Sequence, residues 1–154
     1  MTPESVWDYP RPPRIEPGRR RVRIVHAGIV IADSTAAMRV LETSHPPGIY
    51  VPPSDVTATL EPSPTVTWCE FKGRAAYWTL RAGGDEVVDA AWSYPDPAGG
   101  YEAIAGYLSF YPGRIDEAWL DDERVRVQEG SFYGGWITDD IEGPFKGAPG
   151  TLGW

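Results

Sequence analysis

The sequence predicts an all-β, mainly antiparallel fold, a compact single-domain sandwich or partly open barrel with little helix. Short runs in which apolar and polar residues alternate are typical of strands that bury one face. The 17 glycines and 16 prolines separate these runs and favour many tight turns over long helices. At 154 residues the chain is long enough to bury one core, so we expect roughly eight to ten short strands.

Three segments of the chain differ in composition. Residues 1–20 form an arm rich in proline and arginine, which prefers extended backbone and has Trp7 and Tyr9 to bury. Residues 21–130 carry the alternating runs and form the β domain. Residues 131–154 form a tail rich in glycine and aromatic residues, too apolar to be disordered. We expect this tail to pack on the body and to bury Phe132, Trp136, Phe145 and Trp154.

The first strands of the body follow the arm. Residues 22–26 and 29–31 alternate on either side of an Ala-Gly pair, which predicts a hairpin. Residues 38–41 fit either a third short strand or a short helix. Residues 49–51 lie between prolines and form a short extended piece, as at a sheet edge or a strand end.

The second half of the body continues this pattern. After a glycine-rich turn, residues 86–93 alternate as a strand does, and residues 101–106 favour a short helix that Gly106 ends. Further strands are predicted at residues 107–111, 115–120 and 124–128. The last of these alternates cleanly, so we expect one of its faces to be in water.

The stretch at residues 65–80 carries the strongest candidate for chemistry. Its two strands, TVTWCEF and AAYWTL, would be joined by a turn at Lys72-Gly73-Arg74. The single cysteine, Cys69, lies three residues before Lys72, one of only two lysines. A neighbouring cation favours the thiolate form of a cysteine, and burial among aromatic rings lowers the pKa of a lysine. The alternative is that Cys69 is a small buried residue and that Lys72 points into water.

Further residues would complete a site around this hairpin. Asp55 is a candidate ion partner of the lysine or a general base, or else a turn residue. Tyr77, Trp92 and Tyr94 would line a pocket for a planar or apolar ligand, or else fill the core. His45 precedes two prolines on a rigid loop, a position suited to acid–base chemistry.

Charge and composition limit the partners and cofactors. The net charge is −8, and six of the fourteen basic residues are arginines within residues 11–23. The rest of the chain is strongly acidic, so we expect no nucleic-acid partner. One cysteine and two histidines exclude a thiolate-rich zinc site within one chain, and no phosphate-cradling glycine motif is present. We therefore expect no metal and no cofactor. No apolar run approaches about 18 residues and no signal peptide precedes Trp7, so we expect a cytoplasmic protein without a membrane partner.

Several separated motifs resemble one bacterial family. They are YVPPSDV at residues 50–56, TWCEFKG at 67–73, AYW at 76–78, AWSYP at 91–95 and FY at 110–111. In this order they resemble the family known as domain of unknown function 427, which also carries a nucleotidyltransferase label. The resemblance spans residues 22–127, and the arm and tail resemble the longer actinobacterial members.

The resemblance implies a compact β-rich domain of a tent-like kind. The family's motif positions correspond to Tyr50, Asp55, Cys69, Lys72, Gly73, Tyr77, Trp92 and Tyr94. The motif often has proline where this chain has Glu70. Nucleotidyl transfer needs several carboxylates to hold Mg²⁺ beside the phosphates, and Asp55 is the one carboxylate that these motif positions offer for that role.

Two functional hypotheses follow. In the first, the protein binds or converts a small molecule: Lys72 holds an anionic group or acts as a base, and Cys69 shapes the pocket or acts as a nucleophile. Asp55 and Tyr50 would orient the ligand. In the second, the aromatic residues and the arm form an interface, as in a homodimer or a non-catalytic interaction module. Only the first hypothesis requires these side chains to converge on one concavity.

Overall fold

The computed structural model describes residues 2–130 and 132–154. Within them the chain forms three short 3₁₀ helices, at Val6–Asp8, Pro53–Asp55 and Glu102–Ile104, and fifteen short strands. The strands in chain order are β1 Glu4–Ser5, β2 Arg14–Pro17, β3 Val22–His26, β4 Ile29–Ser34, β5 Met38–Leu41, β6 Gly48–Tyr50, β7 Thr59–Cys69, β8 Gly73–Ala82, β9 Asp85–Ser93, β10 Ser109–Phe110, β11 Glu117–Leu120, β12 Glu123–Arg124, β13 Arg126–Val127, β14 Trp136–Ile137 and β15 Ile141–Glu142. The predicted all-β fold with little helix is confirmed.

The strands form three larger sheets and two small pairs. One sheet has the order β10-β9-β8-β7, a second has the order β12-β11-β3-β4, and a third has the order β2-β5-β6. β13 pairs with β14 in antiparallel orientation, whereas β1 and β15 run parallel. No sheet closes into a barrel within the described residues. The described part of the chain also contains no helix with the length and hydropathy of a membrane span.

The main core joins side chains of both four-stranded sheets. Ile24 and Ile31 come from β3 and β4, whereas Leu80 and Phe110 come from β8 and β10. All four residues are at most 1% exposed, and burying a side chain of this size contributes roughly 1.5–3 kcal/mol of transfer free energy. Trp136 of the tail belongs to the same cluster, so the tail is part of the core and not an appendage.

The first predicted hairpin is present. β3 and β4 are joined at Ala27 and Gly28, whose φ angles are 51° and 74°. Buried and half-buried residues alternate along β3, as a strand with one face in the core requires. Residues 38–41 form strand β5 and not a helix, because they pair with β2 on one side and with β6 on the other.

The first strand of the central hairpin is longer than predicted. β7 begins at Thr59 and runs through Pro62 and Pro64, which the sequence placed in the approach to the strand. Proline is tolerated here because β7 is an edge strand, where a missing N–H removes no bond to a neighbour. The register with β8 shifts between Pro62 and Val66, so the regular pairing of the two strands is interrupted in the stretch that contains Pro64.

The arm and the tail are built into the sheets. β2 of the arm pairs with β5, and β1 pairs with β15 of the tail. The indoles of Trp7 and Trp154 meet edge to face with ring centroids 5.2 Å apart. Phe145 and Trp154 are half-buried, as the prediction of a packed tail requires. Phe132 is 59% exposed, so the prediction that it is buried is wrong; it lines a surface cavity instead.

A partly exposed ion pair docks the arm and gives a testable pH dependence. The carboxylate of Glu4 accepts hydrogen bonds from Arg39 at 2.7 Å and from the hydroxyl of Tyr9 at 2.8 Å. The bond from Arg39 holds the pKa of Glu4 below its ordinary value of 4.5. A lowered folded-state pKa means that the charge stabilises the fold above pH 4.5, and that this contribution is lost as the pH falls through the folded-state pKa.

We expect Glu4→Gln to lower the free energy of unfolding at pH 7 by up to about 1 kcal/mol, since the carboxylate is partly exposed. The difference from wild type should vanish in acid. Urea unfolding at a series of pH values from neutral to acid measures both quantities. Glu129→Gln is the matched control, because Glu129 is exposed and has no ion pair among the described residues. A deficit in Glu4→Gln that stays constant with pH would contradict the role given to the charge.

Candidate functional site

A cavity of about 440 Å³ opens beside the turn between β7 and β8. This turn spans residues 70–72, two positions earlier than predicted, because Gly73 already pairs with Cys69. Seven of the eight site residues named from the sequence line the cavity: His45, Tyr50, Cys69, Lys72, Tyr77, Trp92 and Tyr94. The structure therefore brings together seven of the side chains that the ligand-binding hypothesis requires to converge, but not Asp55.

Strand pairing positions the aromatic walls of this cavity. Tyr77 of β8 lies directly across from Trp92 of β9, and Tyr94 follows β9 in an isolated bridge to Ala105. Lys72 ends the turn, where its main-chain oxygen accepts a hydrogen bond of 2.9 Å from the amide of Ala98. The loop after β9 thus holds the turn in place beside the aromatic wall.

Hydrogen bonds and ring contacts fix these aromatic side chains relative to one another. The indole N–H of Trp92 donates to the hydroxyl of Tyr50 at 3.2 Å, and the rings of Trp92 and Tyr111 have centroids 4.6 Å apart. The hydroxyl of Tyr111 donates to that of Tyr77 at 3.5 Å, and the Tyr77 oxygen lies 3.0 Å from Oγ1 of Thr67. Because each ring has a fixed neighbour, the cavity wall is preorganised for a ligand.

Three tyrosines of the cavity keep their protons at neutral pH. Burial raises the pKa of Tyr50, Tyr94 and Tyr111 above the usual value for a tyrosine, with desolvation of the phenolate as the largest cause in each case. A protonated hydroxyl donates one hydrogen bond and accepts others. These three hydroxyl groups therefore make the wall polar without adding negative charge.

Lys72 lies in this cavity as a buried cation. The residue is 8% exposed, and Nζ lies 5.6 Å from the centroid of the Tyr94 ring. Among residues 2–130 and 132–154, no carboxylate oxygen lies within 4.0 Å of the ammonium group. Burial alone would lower the pKa of Lys72, but the interactions with Tyr50 and Cys69 outweigh it, and the pKa is raised. The predicted lowering is wrong, and Lys72 is an ammonium at neutral pH.

Cys69 and His45 line the cavity with a thiol and an imidazole. Cys69 is a free, half-buried thiol at the end of β7. Nδ1 of His45 lies 2.9 Å from the carbonyl oxygen of Thr43. Burial lowers the pKa of His45 below 6.5, so the ring is neutral at pH 7, and the carbonyl contact indicates that Nδ1 carries the proton. Nε2 is then left as an acceptor.

Asp55 is the one named site residue that the structure places elsewhere. It ends the short helix Pro53–Asp55 and accepts a hydrogen bond of 2.6 Å from the hydroxyl of Ser34. The same hydroxyl accepts a bond of 3.0 Å from the amide of Ala36. Asp55 therefore fixes a turn beside β4, which is the alternative that the sequence left open, and it does not line the cavity.

The tail supplies a cavity wall that the sequence did not predict. Phe132, Tyr133 and Lys146 line the cavity, as does the glycine pair at 134–135. A Cβ atom at Gly134 would lie 2.5 Å from the ring of Trp92, so only glycine lets the tail approach this closely. A pair of glycines in the sequence indicates that the backbone closely approaches another part of the chain, but it does not indicate that this part is Trp92.

A larger cavity, of about 780 Å³, lies among the arm, the tail and the sheet that contains β3. Two arginines on its wall already have carboxylate partners. Arg20 lies 3.2 Å from Asp121 and 3.3 Å from Glu123, and Arg39 lies 2.7 Å from Glu4. This pairing distinguishes the larger cavity from the smaller one, where Lys72 has no carboxylate oxygen within 4.0 Å among the described residues.

The fold and the smaller cavity define a compact all-β domain with an aromatic-walled site around a buried lysine. Residues 14–121 match the family model described as a domain of unknown function, DUF427, and the chain belongs to that family. The family resemblance of the separated motifs is thus confirmed. No curated protein matches the chain. Lys72 and Cys69 lie within the matched residues, whereas Tyr133 and Lys146 lie in the tail beyond them.

The contact between Gly134 and Trp92 gives a prediction about the cavity wall. We expect Gly134→Ala to lower the free energy of unfolding by roughly 1–3 kcal/mol, because the added methyl group overpacks the indole. Urea unfolding measures the change. Gly99→Ala is the matched control, because a Cβ atom there would meet nothing within 4 Å. Equal stability of the two variants would contradict the close packing of the tail on Trp92.

Proposed function

We propose that the protein binds a small anionic ligand with a planar body in the cavity beside the β7–β8 turn. The observation that carries this proposal is the ammonium group of Lys72, which is buried and has no carboxylate partner within 4.0 Å among the described residues. Charged groups are rarely buried without a counter-charge, because desolvation costs several kcal/mol that an unpaired ion does not recover.

An anionic group on a ligand would supply the missing counter-charge. The interaction would be strong, because the cavity excludes much of the water that screens charges at the surface. Aromatic side chains on several sides favour a planar body, since flat π-systems stack or meet edge to face with them. A volume of about 440 Å³ lies within the range of small-molecule sites.

The remaining cavity residues take supporting roles in this proposal. Tyr50 and Tyr94 are protonated and offer hydroxyl groups close to the cation. His45 offers an acceptor nitrogen at the same cavity. Cys69 shapes the wall next to Lys72. The raised pKa of Lys72 favours the role of anion binder over that of general base, since a base must be unprotonated at the working pH.

The proposal extends to binding and not to nucleotidyl transfer. That reaction needs a set of carboxylates to hold Mg²⁺ beside the phosphates. Within the described residues no group of three or more His, Cys, Asp or Glu side chains is placed to hold a metal ion. The cavity does supply what anion binding needs, a cation and hydrogen-bonding hydroxyls.

An interaction surface is the second candidate function. Trp68 is 74% exposed and Phe132 is 59% exposed, and both line this cavity. Exposed aromatic side chains at a concave site also suit a protein partner or a second copy of this chain. In that case small anions would leave the melting temperature unchanged, and the melting temperature would rise with protein concentration.

A thermal-shift panel of inorganic phosphate, benzoate, phenyl phosphate and nucleotides tests the proposal. A ligand at one hundred times its Kd adds about 2.7 kcal/mol of stability, which raises Tm by roughly 5–10 °C for a domain of this size. We expect at least one anion to raise the Tm of the wild-type protein by this amount, and no anion to raise the Tm of Lys72→Met. Arg74→Met is the control for the loss of one cation from the same hairpin, because Arg74 is exposed and does not line the cavity.

Lys72→Met also gives a prediction without any ligand. Methionine keeps the apolar stem of the side chain and removes the buried charge, so the variant should be as stable as wild type or more stable, by about 1 kcal/mol. Urea unfolding of the ligand-free proteins measures this. A marked loss of stability in Lys72→Met would show that the ammonium group serves the fold, and would count against a ligand site.

The raised pKa of Lys72 predicts the pH dependence of binding. Benzoate keeps its charge above neutral pH, and Lys72 stays protonated until the pH exceeds its ordinary value of 10.5. Affinity for benzoate should therefore be constant from pH 7 to about pH 10 and should fall only above that. Isothermal titration calorimetry across this range measures the affinity. A decrease centred between pH 7 and 9 would mean that a different group holds the anion.

A further inference from the structure

The only other lysine of the chain lines the same cavity as Lys72. Lys146 comes from the tail, beyond the residues that match the family, and all other basic side chains except the two histidines are arginines. We propose that Lys146 is a second cationic ligand group and that the ligand is a planar molecule carrying two negative charges. This inference rests on the proposed function and specifies the ligand class of that site.

The main chain at Lys146 is held rigidly next to the cavity. Gln128 is 3% exposed, and its side-chain amide donates to the carbonyl of Lys146 at 2.6 Å and accepts from the amide of Gly135 at 2.9 Å. The amide of Lys146 donates to the carbonyl of Ser44 at 2.8 Å. A Cβ atom at Gly147 would collide with the carbonyl of Glu129, so the chain is tightly packed there. The main chain that carries the Lys146 side chain is therefore fixed beside the cavity.

The side chain of Lys146 carries an accessible charge at this wall. Nζ lies 5.8 Å from the centroid of the Tyr133 ring and donates to the main-chain oxygen of Trp154 at 3.3 Å. Tyr133 in turn meets the ring of His45 edge to face, at 6.1 Å between centroids. No carboxylate side chain in the described parts of the chain lies within 4.0 Å of this ammonium group.

No acidic side chain among the described residues of the cavity pairs with either cation within 4.0 Å. Glu42 lines the cavity and helps to raise the pKa of Lys72, but its carboxylate lies closest to the guanidinium of Arg11, at 3.3 Å. Glu70 is exposed at the turn, where water screens its charge. His45 is neutral. A ligand with two negative charges can meet both ammonium groups, whereas a ligand with one can meet only one of them.

Two kinds of molecule have this charge on a planar body. A phosphate monoester of an aromatic alcohol is close to a dianion at neutral pH, because its second pKa is about 6. An aromatic dicarboxylate carries the same charge as two separate groups. Phenyl phosphate and isophthalate represent these two sources, and benzoate is the matched planar monoanion.

The chain offers an unusually direct measurement of both contacts. Selective ¹³C labelling of lysine gives side-chain signals from Lys72 and Lys146 alone. Lys146→Arg assigns them, since it removes one signal and keeps the positive charge. We expect at least one of the dianions to shift both lysine signals, and benzoate to shift the Lys72 signal alone. The dianion that shifts both lysine signals shows whether the ligand is an aromatic phosphate monoester or an aromatic dicarboxylate.

Affinity provides the second readout. Loss of a hydrogen bond between charged groups should weaken binding of the active dianion at least about tenfold in Lys146→Met, while Lys146→Arg retains most of the affinity. Affinity for benzoate should fall much less than affinity for the dianion in Lys146→Met, because benzoate pairs with Lys72 alone. Because Lys146 also contacts Trp154, urea unfolding of Lys146→Met establishes that the tail remains packed.

The possible failures separate the two proposals. If the dianions shift only the Lys72 signal, or if Lys146→Met weakens benzoate and dianions equally, the role of Lys146 is overturned while anion binding at Lys72 stands. If neither lysine signal responds to any of the three probes, the proposed function fails, and the role of Lys146 fails with it.

Discussion

The buried ammonium group of Lys72 is the constraint on which the cavity depends. Its main-chain oxygen accepts a hydrogen bond from the amide of Ala98, which fixes the turn that carries the side chain beside the cavity. Around it stand tyrosine rings and hydroxyls, which attract a cation through their electron-rich faces and oxygen atoms but do not neutralise it. A carboxylate in the same place would complete an ion pair and remove the reason to bind an anion. The aromatic composition of the wall is thus what keeps the positive charge available.

Local pattern is sufficient for the hairpins of the fold but not for the limits of every strand. The hairpin of β3 and β4, and the strand β9, follow from alternation and turn glycines, because both signals act between close neighbours in sequence. The start of β7 does not follow, because Pro62 and Pro64 argue against a strand unless the strand is known to lie at an edge. Whether a strand lies at an edge depends on the order of all strands in the sheet, so it cannot be inferred from a short stretch of sequence.

The same distinction applies to the site. Cys69, Lys72 and Tyr77 belong to one hairpin, so their proximity follows from a local turn, and the separated motifs of the family bring in Tyr50 and Trp92 as well. Lys146 and Tyr133 reach the cavity only because the tail packs against Trp92 and Gln128, contacts between residues distant in sequence.

Asp55 shows the limit of a sequence motif as evidence for chemistry. Its carboxylate fits either a chemical role or a turn, and in the structure it accepts a hydrogen bond from the hydroxyl of Ser34 in a turn beside β4. A short polar side chain next to a turn has local partners that compete with any distant role. The position of Asp55 in a motif does not distinguish a chemical role from a structural role in a turn.

The edge position of β7 also bears on the tendency of the protein to aggregate. An uncovered strand edge is a template on which further chains can add, and it is a common starting point for β-aggregates. Pro62 and Pro64 divide the edge of β7 into two short stretches, residues 59–61 and 65–69, each shorter than the roughly six-residue segments that form steric zippers. The prolines therefore act as gatekeepers, so the strand beside the cavity can remain open to solvent without seeding a fibril.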